Sequence, residues 1–343
     1  MWSIGLDVQS RSSAVCILDG HGKRVKELNV AGGLARVLEV VGRIRQPFAI
    51  CYEASCGYGY VHDRLERIAR RVVVAHPGQL RLIFRSKRKN DRVDARKLAT
   101  LLFLDQVPPV HVPSMDVRAW RGLIEFRHRL VAKRVRAKNG LRSLLRGCGV
   151  ELQPGKAQWT KKGMTHLATL ELPAEAVALQ RDLLLDEVRH LTEQLGRVER
   201  ELNAIGHRHP GVMLLTTIPG VGPRTAEAMV AYVDRPGRFA RNKAVGSYFG
   251  LIPCQDASAA NNRLGHITRE GPATVRKLVT EAAWQAIRRS PHVRGFFERI
   301  CGEDPSRKKI ALVATAHYLV RVMHAMLRTG EVWRHETKKR RAA

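Results

Sequence analysis

Residues 2–8 read WSIGLDV and residues 48–54 read FAICYEA. Both are short apolar runs flanked by polar or turn-forming residues, the pattern of a buried strand rather than a helix. Both also carry an acid near their ends, Asp7 and Glu53. Outward from them, 13–18 (SAVCIL) and 24–30 read as strands around the turn at Asp19-Gly20, and an amphipathic segment covers 33–45. A helix over 58–70 leads to a strand at 71–76 (RVVVAH), stopped by Pro77-Gly78. The order β-β-β-α-β-α-β-α predicts a mixed sheet with helices on its faces. The strands 2–8 and 48–54 can be neighbours in that sheet, which would bring the two carboxylates together. A helix starting near Asn90-Asp91 and ending near 103 puts Asp91 and Asp94, three apart, on one face.

Four carboxylates in this arrangement offer hard oxygen ligands of the kind that suit Mg²⁺ or Mn²⁺. Two such ions about 4 Å apart can clamp the attacking and leaving oxygens of a phosphodiester. Singly, each acid has an ordinary explanation: Asp7 can end a strand, and Asp91 can sit favourably at a helix N-terminus. The rest of the composition favours the first reading. In 343 residues, Lys plus Arg number 60 against 31 Asp plus Glu, a net charge of +29, which recruits polyanions. Aromatic residues are 6 %, too few for wide base-stacking platforms.

Six cysteines without a C-x-x-C pair read as reduced thiols of a cytosolic protein. No signal peptide, lipidation signal or apolar run of the roughly 20 residues needed to span a bilayer is expected. The apolar stretch 310–327, interrupted by His317, Arg321 and His324, reads as a buried helix. Cytoplasmic location and no membrane partner follow as expectations.

Residues 84–90 (FRSKRKN) form a basic loop, and Pro108, Pro109 and Pro113 place a first boundary, giving domains at 1–108, 109–210 and 211–330 with a basic tail at 331–343. A long helical segment over 114–147 carries Arg118, Arg121, Arg127, Lys133 and Arg134, nearly all its charge of one sign, as a candidate nucleic-acid face. After a linker at 151–168 comes an apolar stripe: Val177, Leu184, Val188, Leu191, Leu195, Val198, Leu202 and Ile205. Its four-three spacing from Leu184 is a coiled-coil seam that fits either a hairpin within one chain or a dimer. The last segment reads as mainly helical. Its stretch 217–226 (TIPGVGPRTA) resembles a helix-hairpin-helix turn, with Gly220, Gly222 and Arg224 near a phosphate. Ser258 falls in a polar, small-residue loop followed by Arg263, Arg269 and Arg276, where a serine nucleophile and charge-stabilising arginines would be compatible. The tail residues Lys338, Lys339, Arg340 and Arg341 are a further candidate for phosphate contact.

The motifs IGLDV, CYEASCGY and NDRVDARKLA at the front, and TTIPGVGPRTA, AVGSYFGLIP, GHITREG and VRKLVTEAAW at the back, together resemble the Piv/MooV-type DEDD transposases of bacterial insertion sequences, the IS-one-ten and IS-eleven-eleven group. The resemblance implies an α/β ribonuclease H-like (resolvase-like) N-terminal domain, a coiled-coil segment and a small C-terminal transposase domain. It implies that Asp7, Glu53, Asp91 and Asp94 bind metal, and that Ser258, five residues after Pro253 and seven before Gly265, is the nucleophile. It implies donor and target DNA as substrates, a structured noncoding guide RNA as partner, and the joining of DNA ends. A homo-oligomer, dimer or tetramer, is expected, with a site that can be completed between subunits. Two departures stand out: Ala259 follows the serine where glycine is common, and His76-Pro77 replaces an asparagine-proline pair. The rival readings are a metal-dependent Holliday-junction-type nuclease in which water attacks, and a noncatalytic nucleic-acid scaffold.

Overall fold

The computed structural model describes residues 1–9, 11–55, 57–83, 91–152, 155–258 and 261–334; for 256–258 and 261–262 it describes the backbone alone. The basic loop 84–90 and the tail cations at 338–341 therefore lie outside the described residues. The chain divides into two compact units, Met1–Arg118 and Ala119–Ala343.

The first unit is built on five strands: β1 (Trp2–Val8), β2 (Ser12–Leu18), β3 (Arg24–Ala31), β4 (Phe48–Glu53) and β5 (Arg71–Ala75). Their order in the sheet is β3-β2-β1-β4-β5. β1, β2 and β3 form an antiparallel meander, while β4 and β5 add in parallel beside β1. Parallel neighbours need crossovers, and the helices α1 (Leu34–Gly42) and α2 (Tyr58–Leu65) supply them. Two further helices follow, α3 (Pro77–Ile83) and α4 (Asp91–Phe103). Pro77, read from sequence as a strand stop, is also the first residue of α3, a position that tolerates its missing N–H.

The period of two along each strand sorts side chains into two cores. Ile4, Leu6, Ile50 and Tyr52 face one way and pack with Val37 and Val41 of α1 and Val61 and Leu65 of α2. On the other face, Ala49 and Cys51 pack with Leu98, Leu101 and Leu102 of α4 and with Leu80 of α3, and Ala14 and Cys16 with Ala95 and Ala99. That face is lined by small residues, so α4 lies close to the sheet. The closest approach is at Gly5: a Cβ there would lie 1.9 Å from the Ala95 carbonyl oxygen and 2.4 Å from the Ala99 nitrogen. Only glycine leaves room for the helix backbone at this point.

The second unit holds the remaining helices, most of α5 (Met115–Gly147), then α6 (Lys161–Ala168), α7 (Glu175–Arg208), α8 (Pro210–Leu215), α9 (Pro223–Val233), α10 (Asn242–Tyr248), α11 (Ala273–Arg289), α12 (Pro291–Cys301) and α13 (Lys308–Thr329). The unit boundary falls inside α5. The stretch read as a linker contains α6, whose first turn is capped by the Thr160 hydroxyl accepting from the Gly163 N–H at 3.2 Å. The stripe on α7 buries Leu185, Val188, Leu191, Leu195, Val198 and Leu202, with Leu184 only partly buried. It packs against α5 of the same chain. Arg127 reaches Glu199, Arg134 reaches Thr192, and Gly140 lies beside Leu184, so the two helices run antiparallel. A single apolar core joins Leu130, Leu141 and Leu145 of α5 to Leu202, Met229, Val279 and Leu319.

The C-terminal part is not wholly helical. β6 (Pro253–Ser258) and β7 (Asn261–Ile267) form an antiparallel hairpin. The sequence PCQDAS has no apolar alternation, which is why it read as a loop; backbone pairing, not burial of a face, makes the strand. The stretch Pro305–Thr329 is long and apolar enough to cross a membrane by length and composition. In the fold, its Ala311, Ala316, Leu319, Val320 and Met323 are buried within the second unit's core. The described cysteines, Cys16, Cys51, Cys148, Cys254 and Cys301, are unpaired.

Candidate functional site

Asp7 stands two residues beyond Gly5 on β1 and therefore on the same face of the sheet, the one covered by α4. β4 pairs with β1 so that Gly5 opposes Cys51 and Leu6 opposes Tyr52. Continued one step, that register sets Glu53 beside Asp7, again on the α4 face. The contact of Gly5 with Ala95 and Ala99 fixes α4 along the strand, with its first turn, Asp91 and Asp94, toward the Asp7 end. A fork of hydrogen bonds holds the helix in rotation: Arg96 Nε and Nη2 donate to Glu27 of β3 at 2.6 and 3.0 Å.

The electrostatics of Asp7 register the result. Its carboxyl is held above the ordinary value, first by burial and then by the like charges of Asp91, Asp94 and Glu53. A long hydrogen bond from Gln9 Nε2, at 3.4 Å, opposes the shift. Lys97 pairs with Asp94 at 3.2 Å. Glu53 is exposed, and Asp7, Asp91 and Asp94 are half-buried, so the cluster opens to solvent. Three acids act on the partly desolvated Asp7 carboxyl, and all four offer the hard oxygens a divalent cation takes, although no three of them bring ligand atoms within 4.8 Å of one another.

A second group, not singled out from sequence, is His62, Asp63 and Glu66 on α2 and just after it, whose ligand atoms all lie within 4.8 Å of one another. Its visible signal was only an acid pair and a histidine within one helical turn. Asp63 is already bound by Arg118, which also donates from Nη1 to the Pro113 carbonyl at 2.6 Å. Gly59 leaves the space that the Arg118 guanidinium occupies. This group anchors the chain leading into α5.

Arg118, expected on a nucleic-acid face, is thus spent inside its own unit, and the second unit repeats the pattern. Arg121 donates to the Ala231 carbonyl at 2.8 Å and stacks over Tyr232. Arg127 donates twice to Glu199, at 2.8 and 2.6 Å. Arg134 reaches the Thr192 hydroxyl at 3.5 Å. Arg224 turns inward to Asn203 and to Glu227 at 3.1 Å. Arg276 donates to the carbonyls of Phe249, Glu270 and Gly271, tying down a turn in which Arg269, Gly250 and Gly271 all have positive φ. An arginine surrounded by carbonyls is a cross-brace, and the sequence does not distinguish it from one that faces phosphate. Lys133, Arg263 and Arg269 are exposed, as are Arg129 and Arg136 on α5.

In the glycine-rich turn, Gly220 has φ +94 and lies against the α11 backbone; a Cβ there would sit 2.4 Å from the Ala286 nitrogen. Its requirement comes from helix packing. Gly222, the residue before α9, has nothing within 4 Å of a Cβ position and leaves that side open. Ser258 is the last residue of β6, paired with Asn261 at the tip of the hairpin, and Arg263 pairs with Asp256 further down. The Ser258 side chain lies outside the described residues.

Comparison with known proteins identifies the family. Residues 4–149 match the DEDD transposase model of the IS110 group, described as "Transposase", and residues 212–298 match the model described as "Transposase IS116/IS110/IS902 family". The chain is 24 % identical to the transposase for insertion sequence element IS1328 of Yersinia enterocolitica, across 96 % of this chain and 98 % of that one. It is 24 % identical to the transposase for insertion sequence element IS1111A of Coxiella burnetii, across 83 % and 78 %. A probable family 20 transposase of Pseudomonas aeruginosa is 27 % identical across 70 % and 72 %. Two family models covering both units, together with relatives aligned over nearly the full length, identify this chain as an insertion-sequence transposase of the IS110/IS116/IS902 family.

Proposed function

We propose that the chain cuts donor and target DNA and rejoins the ends under the guidance of a noncoding RNA of its element. In this reading Asp7, Glu53, Asp91 and Asp94 are the metal ligands of a ribonuclease H-like domain, Ser258 is the nucleophile, and the protein works as a homo-oligomer. The observation that carries the reading is the half-buried Asp7 carboxyl, repelled by three other acids at one end of the sheet. Lys97 pairs with Asp94 at 3.2 Å, yet the Asp7 carboxyl is still held above its ordinary value, a repulsion that a bound divalent cation would relieve. Mg²⁺ or Mn²⁺ held by these four groups would neutralise charge on the scissile phosphate's nonbridging oxygens.

The chain's residues then have distinct tasks. The α4–β1 contact at Gly5 keeps the acids in register with one another. The Ser258 hydroxyl oxygen attacks phosphorus; the new O–P bond forms as the bond to one DNA oxygen breaks, and the serine proton ends on that departing oxygen. In rejoining, a DNA hydroxyl attacks the same phosphorus and the serine recovers its proton. One phosphoester is exchanged for another, so no outside energy source is needed.

The test uses purified full-length protein, Mg²⁺, the element's flanking noncoding RNA and labelled donor and target DNA, read on a denaturing gel for a covalent protein–DNA adduct. An adduct present in the parent and lost in both Ser258→Ala and Asp94→Ala supports the reading. Cleavage without adduct, unchanged in Ser258→Ala and lost in Asp94→Ala, replaces it with a metal-dependent junction nuclease that uses water. Activity that survives Asp7→Ala and Asp94→Ala removes the acid cluster from the mechanism.

A further inference from the structure

Most part-buried arginines of the second unit have internal acceptors. Arg121, Arg127, Arg181, Arg224, Arg238 and Arg276 each donate to a carbonyl, an amide oxygen or a carboxylate of their own chain. Arg321 does not. Its Nε is enclosed and has no hydrogen-bond partner; Arg224 Nη1 is also enclosed and unbonded, but that guanidinium keeps Asn203 and Glu227 as partners. One helical turn earlier on the same face of α13, His317 Nε2 is likewise enclosed and unbonded. α10 packs against this part of α13, and Gly246 makes the fit possible, since a Cβ there would lie 2.2 Å from His317 Nε2. α10 also carries the exposed Lys243. The groups that act electrostatically on His317 are Arg321 and Lys243, and both oppose its protonation; among the described residues no carboxylate acts on it.

Two helices therefore place Arg321 and Lys243 near His317, on which no carboxylate of the described residues acts. An enclosed donor left without an acceptor is costly, and more so when charged. The cost is relieved if an anion joins the group. An Arg and a Lys near an imidazole are side chains able to hold a phosphate oxygen through charge-assisted hydrogen bonds. We propose that Lys243, His317 and Arg321 form an anion site that takes a backbone phosphate of bound nucleic acid. The site belongs to the second unit, the acid cluster to the first, and the site needs no chemistry at Ser258. It rests on the transposase reading only for the identity of the polyanion.

The first experiment follows the imidazole resonance of His317 in the full-length protein, assigned with His317→Asn, while inorganic phosphate is added at fixed pH and ionic strength. The expected result is a saturable shift that is lost in Arg321→Gln. No saturable shift, or one that persists in Arg321→Gln, overturns the site. The second measures affinity for duplex DNA and for the element's RNA across a salt series, comparing Lys243→Gln and Arg321→Gln with Lys161→Gln, a charge-matched change on α6. A phosphate contact predicts about tenfold weaker binding and a salt slope smaller by about one in both site variants, with less effect in the control. An effect on one polyanion identifies it as the occupant. Site variants that match the Lys161 control on both polyanions overturn the nucleic-acid assignment even where phosphate binds. Lys243 is exposed, so its variant keeps the test decisive should Arg321→Gln unfold.

Discussion

The two units handle charge in opposite ways. At the end of the first sheet, Asp7 is surrounded by Asp91, Asp94 and Glu53, and its ionised form is penalised. In the second unit, cations that looked available from sequence are consumed internally: Arg121 by the Ala231 carbonyl, Arg127 by Glu199, Arg276 by three carbonyls of one turn. Paired charges of the second kind hold the fold, and their loss is read in stability. Like charges of the first kind weaken the fold even with Lys97 beside Asp94, and the proposed metal would account for their retention. The number of basic residues says little about where nucleic acid lies; the number without internal partners says much more.

The comparison breaks most severely if the acid cluster survives loss of the α4–β1 contact. Gly5→Ala puts a methyl group 1.9 Å from the Ala95 carbonyl, and backbone on both sides cannot yield as a side chain would. The expected cost is about 3 kcal/mol or more, with strand cleavage lost. A thermal melt and the cleavage gel check it; full activity at unchanged stability would show that α4 is not held as described.

Next in size is the contrast between two arginines that the sequence presents as equivalent. Arg276→Ala leaves three carbonyls around the turn at 269–271 without their donor and should cost about 2 kcal/mol. Arg263→Ala, on the exposed hairpin, should leave the melting temperature unchanged and weaken DNA binding. Equal destabilisation by both would erase the distinction between bracing and binding arginines.

These cases show where sequence was informative. The strands around Asp7 and Glu53 were legible because alternation and apolar runs report burial directly, and the three-residue spacing of Asp91 and Asp94 reports a shared helix face. The small residues Gly5, Ala95 and Ala99, which set the distance of α4 from the sheet, carry no such signal until the two elements are seen in contact. The β6–β7 hairpin was illegible because PCQDAS lacks a buried face. Arginine roles were illegible for a different reason: a guanidinium is satisfied by carbonyls contributed from distant segments, as Arg121 is by residues 231 and 232. Gly220 likewise read as a phosphate-binding glycine, and its packing against Ala286 is a second reason for glycine that the sequence does not display.

Glu227 tests the paired side of the comparison by titration. It is 1 % exposed, one turn into α9, and burial pushes its carboxyl up to about 7 despite the Arg224 partner. Unfolded, it would titrate near 4.5. The folded state therefore holds this proton more tightly, and the stability it lends is complete below about pH 4.5 and is lost as pH rises through about 7. Relative to the parent, Glu227→Gln should flatten the fall in melting temperature between pH 5 and pH 8, by an amount on the order of 2 kcal/mol. Parallel curves for the two proteins would mean that Glu227 is ionised throughout, as a firmly paired acid.

Asp7→Asn gives the smallest shift and addresses the unpaired side directly. The folded pKa of Asp7 is raised, by burial first and then by the neighbouring acids, so ionising it subtracts stability once pH has climbed through the folded value. Asparagine keeps the shape and removes the charge, so without divalent metal the variant should be more stable than the parent, by up to about 1 kcal/mol at low salt. Mg²⁺ should reverse the ranking. An ion bound by the folded cluster and not by the unfolded chain raises the parent's melting temperature with concentration, while the variant, lacking one ligand, responds weakly. A metal titration of both proteins separates the effects, because repulsion appears at zero metal and ligation appears in the slope. If neither protein responds to Mg²⁺ or Mn²⁺, the acids repel one another without recruiting a cation, and the explanation for their retention fails together with the metal-dependent mechanism.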